Sequence, residues 1–546
     1  MVRSARVLVI LVCATVAAAC TPAFVSGPGV ASSAADADRL LARPWSEYRS
    51  ANFRVLSDGT DTQVRALITD LERFRPIARA VLGQPAISPE PLLVIAPRDQ
   101  ASFAVFVPSR TVAGLFLRGL RGDVLLVNLA ARVAGLDGPR AGVRSVAQHE
   151  YVHAVIADLP GPPVPLWYNE GVAEYLSTAR IDRSGAVIGA PIPGRVRNLL
   201  VGRRLGLDDL LSARPEAPDY GRSADGVDFH AHAWLLVHYL HSRPDAARVL
   251  DRYKALRRAG LDETAAIEDA LGRSAAGVQG DLLAYVRGRD FQTRHVPIAV
   301  PRQIAITRTG DLSAADMLVQ LARFQMTDRR AFRRSEAVLD RALAIDPDHV
   351  AALAALARLR IRQDRLDHAL ALADRALAIE PDAAGALMAR AEALVQQADR
   401  LPSAERGPLL AAALGAARGA AAGRPHLVEP KLVVGLIYLH GDHGDTPELL
   451  REGLAAFGAA RRLTPQNAEI AYLYGALLER AGAWQAAAVQ YREAARWAHA
   501  PRTRELAARR LALAGRVPMD ADDMPSMTDM VPAPPLSGRG ADQPRP

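Results

Sequence analysis

Residues 145–156 read SVAQHEYVHAVI, with His149 and His153 four positions apart and Glu150 directly after the first. The segment reads as a helix. On a helix, residues four apart sit about 40° round and about 6 Å along the axis, so both imidazoles leave one face and can reach a single metal ion. Glu150 neighbours that face, where a carboxylate can take the proton from a water attacking a carbonyl.

A second segment supplies the partner. After the proline-rich turn LPGPPVP (159–165), the stretch PLWYNEGVAEYLS (165–177) reads as a returning helix. Sixteen residues separate His153 from Glu170, enough for a turn that brings Glu170 beside the histidines. Two imidazoles and a carboxylate are a donor set of catalytic zinc sites, which use three protein ligands and keep a fourth position open.

Towards the amino terminus, NFRVLSD (52–58) reads as a strand, 61–82 as an amphipathic helix ending at Gly83, and PLLVIAP (91–97) as a buried strand. GLFLR (114–118) and GDVLLVNL (122–129) give two more. The expected class is α+β, with a small mixed sheet leading into helices across 45–300.

After residue 312 the strands stop, and alanine and leucine recur at helical spacing. RALAIDPDH and RALAIEPDA are near copies, and Pro347 and Pro381 stand 34 residues apart. That is the period of tetratricopeptide repeats. Leu353, Leu356, Ala357, Ala369, Ala373 and Ala376 fall where such repeats pack, as do Phe457, Ala460, Gly475, Ala487, Tyr491 and Ala494 further on. Four to five helical pairs are expected over 312–514, with 400–430 breaking the period. They should form an all-α solenoid whose concave groove takes a protein partner.

HEYVH followed by WYNEGVAEY resembles the gluzincin metallopeptidases, most closely the peptidase-MA-like group of bacterial proteins, often joined to tetratricopeptide repeats. The resemblance implies a zincin-like metallopeptidase domain holding one zinc ion through His149, His153 and Glu170. Glu150 would be the general base acting on a zinc-activated water to hydrolyse peptide bonds. Glu174 matches an acid that, in some relatives, hydrogen-bonds the first histidine from behind. Asn169 and Gly171 belong to the motif, and Asn169 can also help start the helix. DFHAHAWLLVHYLHS (228–242) resembles the helix that supplies an oxyanion donor, with His230 at the family's tyrosine position and His232 and Tyr220 as fallbacks. The resemblance also implies that GDVLLVNL presents a sheet edge to extended substrate. The alternative is a catalytically inactive scaffold in which only the repeats work. His440 and His443 lie in a turn composition.

At 546 residues the chain is too long for one core. The net charge of +8 comes almost wholly from arginine, Lys254 and Lys431 being the only lysines, and no cluster of basic and aromatic residues accompanies it. No nucleic-acid partner is expected. Arg3 and Arg6 precede VLVILVCATVAAAC (7–20), the pattern of a bacterial export signal over 1–20. The three alanines before Cys20 resemble a lipobox, in which Cys20 would be lipidated. Ala17 stands where such boxes carry leucine, so simple cleavage before Cys20 is the alternative. Cys20 would be the one cysteine left, and a mature chain could form no internal disulfide. The expected product is a lipoprotein of the bacterial cell envelope facing the periplasm, membrane-bound by its lipid alone. A flexible tether over 21–44 and a disordered tail over 515–546 complete the expectation.

Overall fold

The structure is a computed structural model that describes residues 33–514 apart from 84–89, 108, 110–111, 137–138, 162, 214–222, 327–330, 442–445 and 499–500. The expected export signal with Cys20, the tail 515–546, Tyr220 and His443 lie outside the described residues.

The chain begins with α1 (Ser33–Leu41), β1 (Ser46–Arg49), β2 (Phe53–Ser57), α2 (Asp61–Leu82), β3 (Leu92–Ala96), α3 (Gln100–Phe106), β4 (Gly114–Leu117) and β5 (Val124–Val127). There follow α4 (Pro139–Ala157), α5 (Leu166–Leu176), β6 (Arg180–Ile181), β7 (Gly185–Ile188), α6 (Pro193–Val201), α7 (Leu207–Ser212) and α8 (Ser223–Ser242). Next come α9 (Ala246–Ala259), α10 (Glu263–Leu271), α11 (Ala275–Gly288), β8 (Arg294–Pro297) and β9 (Thr307–Asp311). Local signals fix several ends. Thr60 and Gln63 form a reciprocal capping box at the start of α2, and Gly83 closes that helix in the left-handed conformation at φ 69°.

Six strands form a mixed sheet in the order β4-β5-β3-β2-β1-β9. β2, β3 and β5 run parallel, and β4, β1 and β9 pair antiparallel with their neighbours. β6, β7 and β8 make a second, antiparallel sheet. Strand alternation sends Phe53, Val55, Val94, Phe116 and Leu125 to one face, where they pack with α2 and α4. Leu56, Ile95, Leu115, Leu117 and Leu126 go to the other.

The rest is helical: α12 (Ala314–Gln325), α13 (Phe332–Ile345), α14 (Val350–Arg362), α15 (Leu366–Ile379), α16 (Ala384–Ala398), α17 (Gly407–Gly423), α18 (Val428–His440), α19 (Arg451–Leu463), α20 (Ala468–Arg480), α21 (Trp484–Trp497) and α22 (Pro501–Ala514). These are five successive pairs and a final helix. The alanines expected to pack are buried, Ala357, Ala369, Ala373 and Ala376 completely. In 400–430, the region that breaks the period, a short 3-10 turn precedes the 17-residue α17.

Three expectations are corrected. The tether over 21–44 is not flexible throughout, because α1 buries Ala37 and Leu40 beside Trp45 and Phe106. The first domain does not close at 300, since β9 at 307–311 completes the sheet through backbone pairing with β1. Nor are the two regions separate. The second face of the sheet shares one hydrophobic cluster with α1, α3 and the first three repeat helices, including Leu318, Leu321, Leu339 and Leu356.

The first helices of successive repeat pairs are contacted by the chain itself. Between β4 and β5, Leu120 packs among repeat side chains and its carbonyl accepts from the Glu429 backbone N–H at 3.1 Å. Arg121 Nε donates to Glu429 Oε1 at 2.6 Å, and Arg358 donates to both Glu429 oxygens at 2.6 and 2.9 Å. Arg358, Glu392 and Glu429 lie on α14, α16 and α18, the first helices of successive pairs. Gln466, between α19 and α20, donates to the Ile156 and Leu159 carbonyls at 2.7 and 3.2 Å, satisfying carbonyls at and beyond the end of α4.

Burial pushes the Glu392 carboxyl up to about 7, and the neighbouring Glu429 carboxylate adds to the rise. Its pKa is therefore higher folded than unfolded. The resulting stabilisation is complete below the ordinary carboxylate range and disappears as pH rises through about 7. Glu392→Gln, which keeps the neutral shape, is expected to stabilise the chain by about 2 kcal/mol at about pH 8 and hardly at all at about pH 4. Thermal melts at the two pH values check this, and an equal effect at both would refute it.

Candidate metal centre

The site is built where α4, α5 and α8 meet. α4 lies against β4 and α2, and α5 returns along it to pack on α8. Gly171 permits the close crossing of α5 and α8. A methyl group there would run into the Ala233 carbonyl oxygen and come within 2.5 Å of Val237 Cγ2. Gly114 does the same on the sheet side, since a Cβ there would approach Glu150 Cγ to 2.7 Å.

The helices bring the expected residues together. Glu170 Oε2 lies 3.3 Å from His149 Nε2, 3.6 Å from His153 Nε2 and 3.3 Å from His230 Nε2. Three imidazole nitrogens thus surround one carboxylate oxygen. Burial acts to raise the Glu170 pKa, but the charge of His153 and hydrogen bonds from His149 and His230 override it and hold the carboxyl well below its usual range.

The rings are oriented from behind. His153 Nδ1–H donates to Asn169 Oδ1 at 3.0 Å, so Nε2 is the nitrogen turned to Glu170. Asn169 does not start its helix, because Pro165 takes the N-cap position. Its buried amide instead fixes the tautomer and angle of His153. His149 Nδ1 faces Glu174 Oε1 at 3.7 Å, and Arg195 holds Glu174 through both its oxygens, with Nε to Oε2 at 3.1 Å. Burial raises the Glu174 pKa, and the charges of Arg195 and His149 outweigh it, so the carboxyl is lowered. Arg195 is a residue that sequence reasoning missed. It lies on α6, 21 positions beyond Glu174, where no motif marks it.

Glu150 lies beside the cluster against β4. Burial pushes its carboxyl up to about 7, against the pull of His153 and of a hydrogen bond from the Phe116 backbone. β4, not GDVLLVNL, is the edge of the sheet here. β5 is enclosed between β4 and β3. Strand order is set by the β4–β5 turn and by the parallel crossovers, and the two strand sequences are alike in hydrophobicity.

Of the fallback residues, His232 turns elsewhere and accepts the Leu205 backbone N–H at 3.2 Å. Burial lowers the His440 pKa at the end of α18. No helix among the described residues is long and apolar enough to cross a membrane.

The donor set fits a cation in part: His149, Glu170 and His230 offer donor atoms within 4.8 Å of one another, whereas His153, 3.6 Å from Glu170 Oε2, does not lie within that distance of all three. Ligand bonds of about 2.0–2.1 Å in a tetrahedron put donor atoms about 3.4 Å apart. The separations of 3.3, 3.6 and 3.3 Å about Glu170 Oε2 agree with that edge length. His153 also has the outer hydrogen-bond partner that ligating histidines use, and His149 faces a carboxylate from behind.

Fold and site together define a chain with a small mixed sheet and a buried His/Glu cluster, continued by tetratricopeptide repeats. Residues 327–393, spanning α13 to most of α16, match the family model described as tetratricopeptide repeat. Among solved structures, the chain is similar to a thermophilic tetratricopeptide-repeat protein of Thermus thermophilus, at 25% identity, covering 36% of this chain and 99% of that one with a TM-score of 0.30. It is similar to pilF of Pseudomonas aeruginosa at 19% identity, covering 37% and 88% with a TM-score of 0.29. Yeast Tom70 aligns at 14% identity over 57% of this chain and 65% of its own, with a TM-score of 0.29. No curated protein sequence matches the chain.

Proposed function

We propose that this chain is a zinc-dependent hydrolase of peptide bonds, exported and anchored through Cys20, whose repeats provide protein–protein contacts. The observation that carries the reading is the approach of His149 and His153 to Glu170, with Glu150 beside them on α4, against the edge strand. His149, His153 and Glu170 would hold the ion. When bound, zinc supplies a Lewis acid that polarises a carbonyl and acidifies water.

The chain's own residues supply the rest. An extended peptide adding to β4 would run past Glu150, whose carboxylate accepts the proton of the attacking water and returns it to the leaving amine. Asn169 and the Arg195–Glu174 pair keep the two rings of α4 aimed at the ligand position. The resemblance of HEYVH and WYNEGVAEY to gluzincins supports the same chemistry. Metal analysis of the purified chain is expected to give one zinc per chain, and Glu170→Ala is expected to lose it. A zinc-free wild type would overturn the reading.

A second reading is favoured by the repeat match over 327–393, in which the chain is a scaffold and the first region no longer turns over. Zinc bound at full occupancy, with no cleavage anywhere in a broad peptide library, would select it.

A further inference from the structure

We propose that His230 is a fourth protein ligand, so that at rest the cation is closed off by His149, His153, Glu170 and His230 and becomes accessible only when His230 swings away. The inference rests on the zinc reading above and deepens it, because it states how the site is regulated.

Three observations carry it. His230 Nε2 lies as close to Glu170 Oε2 as His149 Nε2 does, 3.3 Å in both cases. One donor atom each from His149, Glu170 and His230 fall within 4.8 Å of one another, the spacing that one ion can bridge; His153 stands outside that set and would turn in from 3.6 Å off Glu170 Oε2 as the ion binds. The His230 side chain is also the most exposed of the four, at 25% against 15% for His149, 8% for Glu170 and 6% for His153. Its place at the solvent side of the cluster makes His230 the ring best positioned to swing out.

Four protein donors describe a closed site, whereas a working catalytic site keeps one position open. A substrate carbonyl or a chelating anion would then compete with an imidazole already in place. An oxyanion donor would stand clear of the ion and leave that position to water. The two roles for His230 therefore predict different coordination before any substrate is added.

X-ray absorption of the zinc-loaded full chain counts imidazoles directly and needs no variant. Three are expected in the wild type and two in His230→Gln, whose zinc affinity should fall at least tenfold. Acetohydroxamate, a small bidentate probe, should bind the cobalt-loaded His230→Gln protein at least tenfold more tightly than the cobalt-loaded wild type, having no ring to displace. His230→Asn serves as the second variant, and circular dichroism checks that both fold. Two imidazoles in the wild type, with an unchanged spectrum in both variants, would overturn the proposal and leave His230 as an oxyanion donor. A wild type that binds no zinc would overturn the metal reading itself.

Discussion

Substituting Glu150 by glutamine is expected to lower peptide hydrolysis by about 10²–10⁴-fold while zinc stays bound. Glutamine keeps the shape of the side chain and can still accept the Phe116 backbone N–H, but it cannot take up a proton. Nothing in the substitution touches His149, His153 or Glu170. The loss should therefore appear in kcat with KM little changed, the pattern of an interaction made only in the transition state. Initial rates on a peptide selected from a library, with zinc measured on the same samples, check both halves. A rate that survives unchanged removes Glu150 from the reaction, and a rate lost together with zinc shows that the substitution disturbed the ligands instead.

Ending the chain at Asp311 is expected to abolish cooperative folding of what remains. Leu56, Ile95, Leu115, Leu117 and Leu126 are buried in the cluster that also contains α12, α13 and α14. Burying a leucine or isoleucine contributes about 1.5–3 kcal/mol, so five such side chains carry on the order of 10 kcal/mol. A domain's whole stability is about 5–15 kcal/mol. Even if α1 and α3 supplied half of the cover, the deficit of about 5 kcal/mol would equal the lower end of that range. The truncation also removes Gln466 from the end of α4 and Glu429 from Arg121. Circular dichroism melts of residues 33–311 against the full chain decide the matter. A sharp transition at an unchanged Tm would show that the sheet needs no repeats.

These two results bear on different parts of one molecule. The first concerns a proton at one carboxylate, and the second concerns the scaffold that brings that carboxylate to a strand edge. The Arg121–Glu429–Arg358 contact, buried at Glu429 and Arg358, links them physically, because Arg121 belongs to the turn directly after β4. Removing Glu429 would take from two guanidinium groups the counter-charge they share, and breaking such a pair from one side costs about 3–5 kcal/mol.

Much of this was written locally. The spacing of His149 and His153, the turn that returns Glu170 and the 34-residue repeat each depend on helical periodicity and on proline or glycine punctuation, which act over a few residues. The second helix was legible for the same reason, since a proline-rich turn and an apolar run fix its start. Glu174 was placed behind His149 by the resemblance alone, which puts an acid one helical turn after Glu170.

Sequence alone therefore determined the strands β2 to β5, the helices α2, α4 and α5, the repeat pattern and the histidines and acids of the cluster. Tertiary structure decided which strand is the edge, that β9 returns from residue 307 to close the sheet, that Arg195 and His230 join the cluster, and that the repeats hold the chain's own β4–β5 turn. Those outcomes depend on contacts between residues tens to hundreds of positions apart. No local pattern encodes such contacts, because their free energy comes from burying surfaces that meet only once the whole chain has packed.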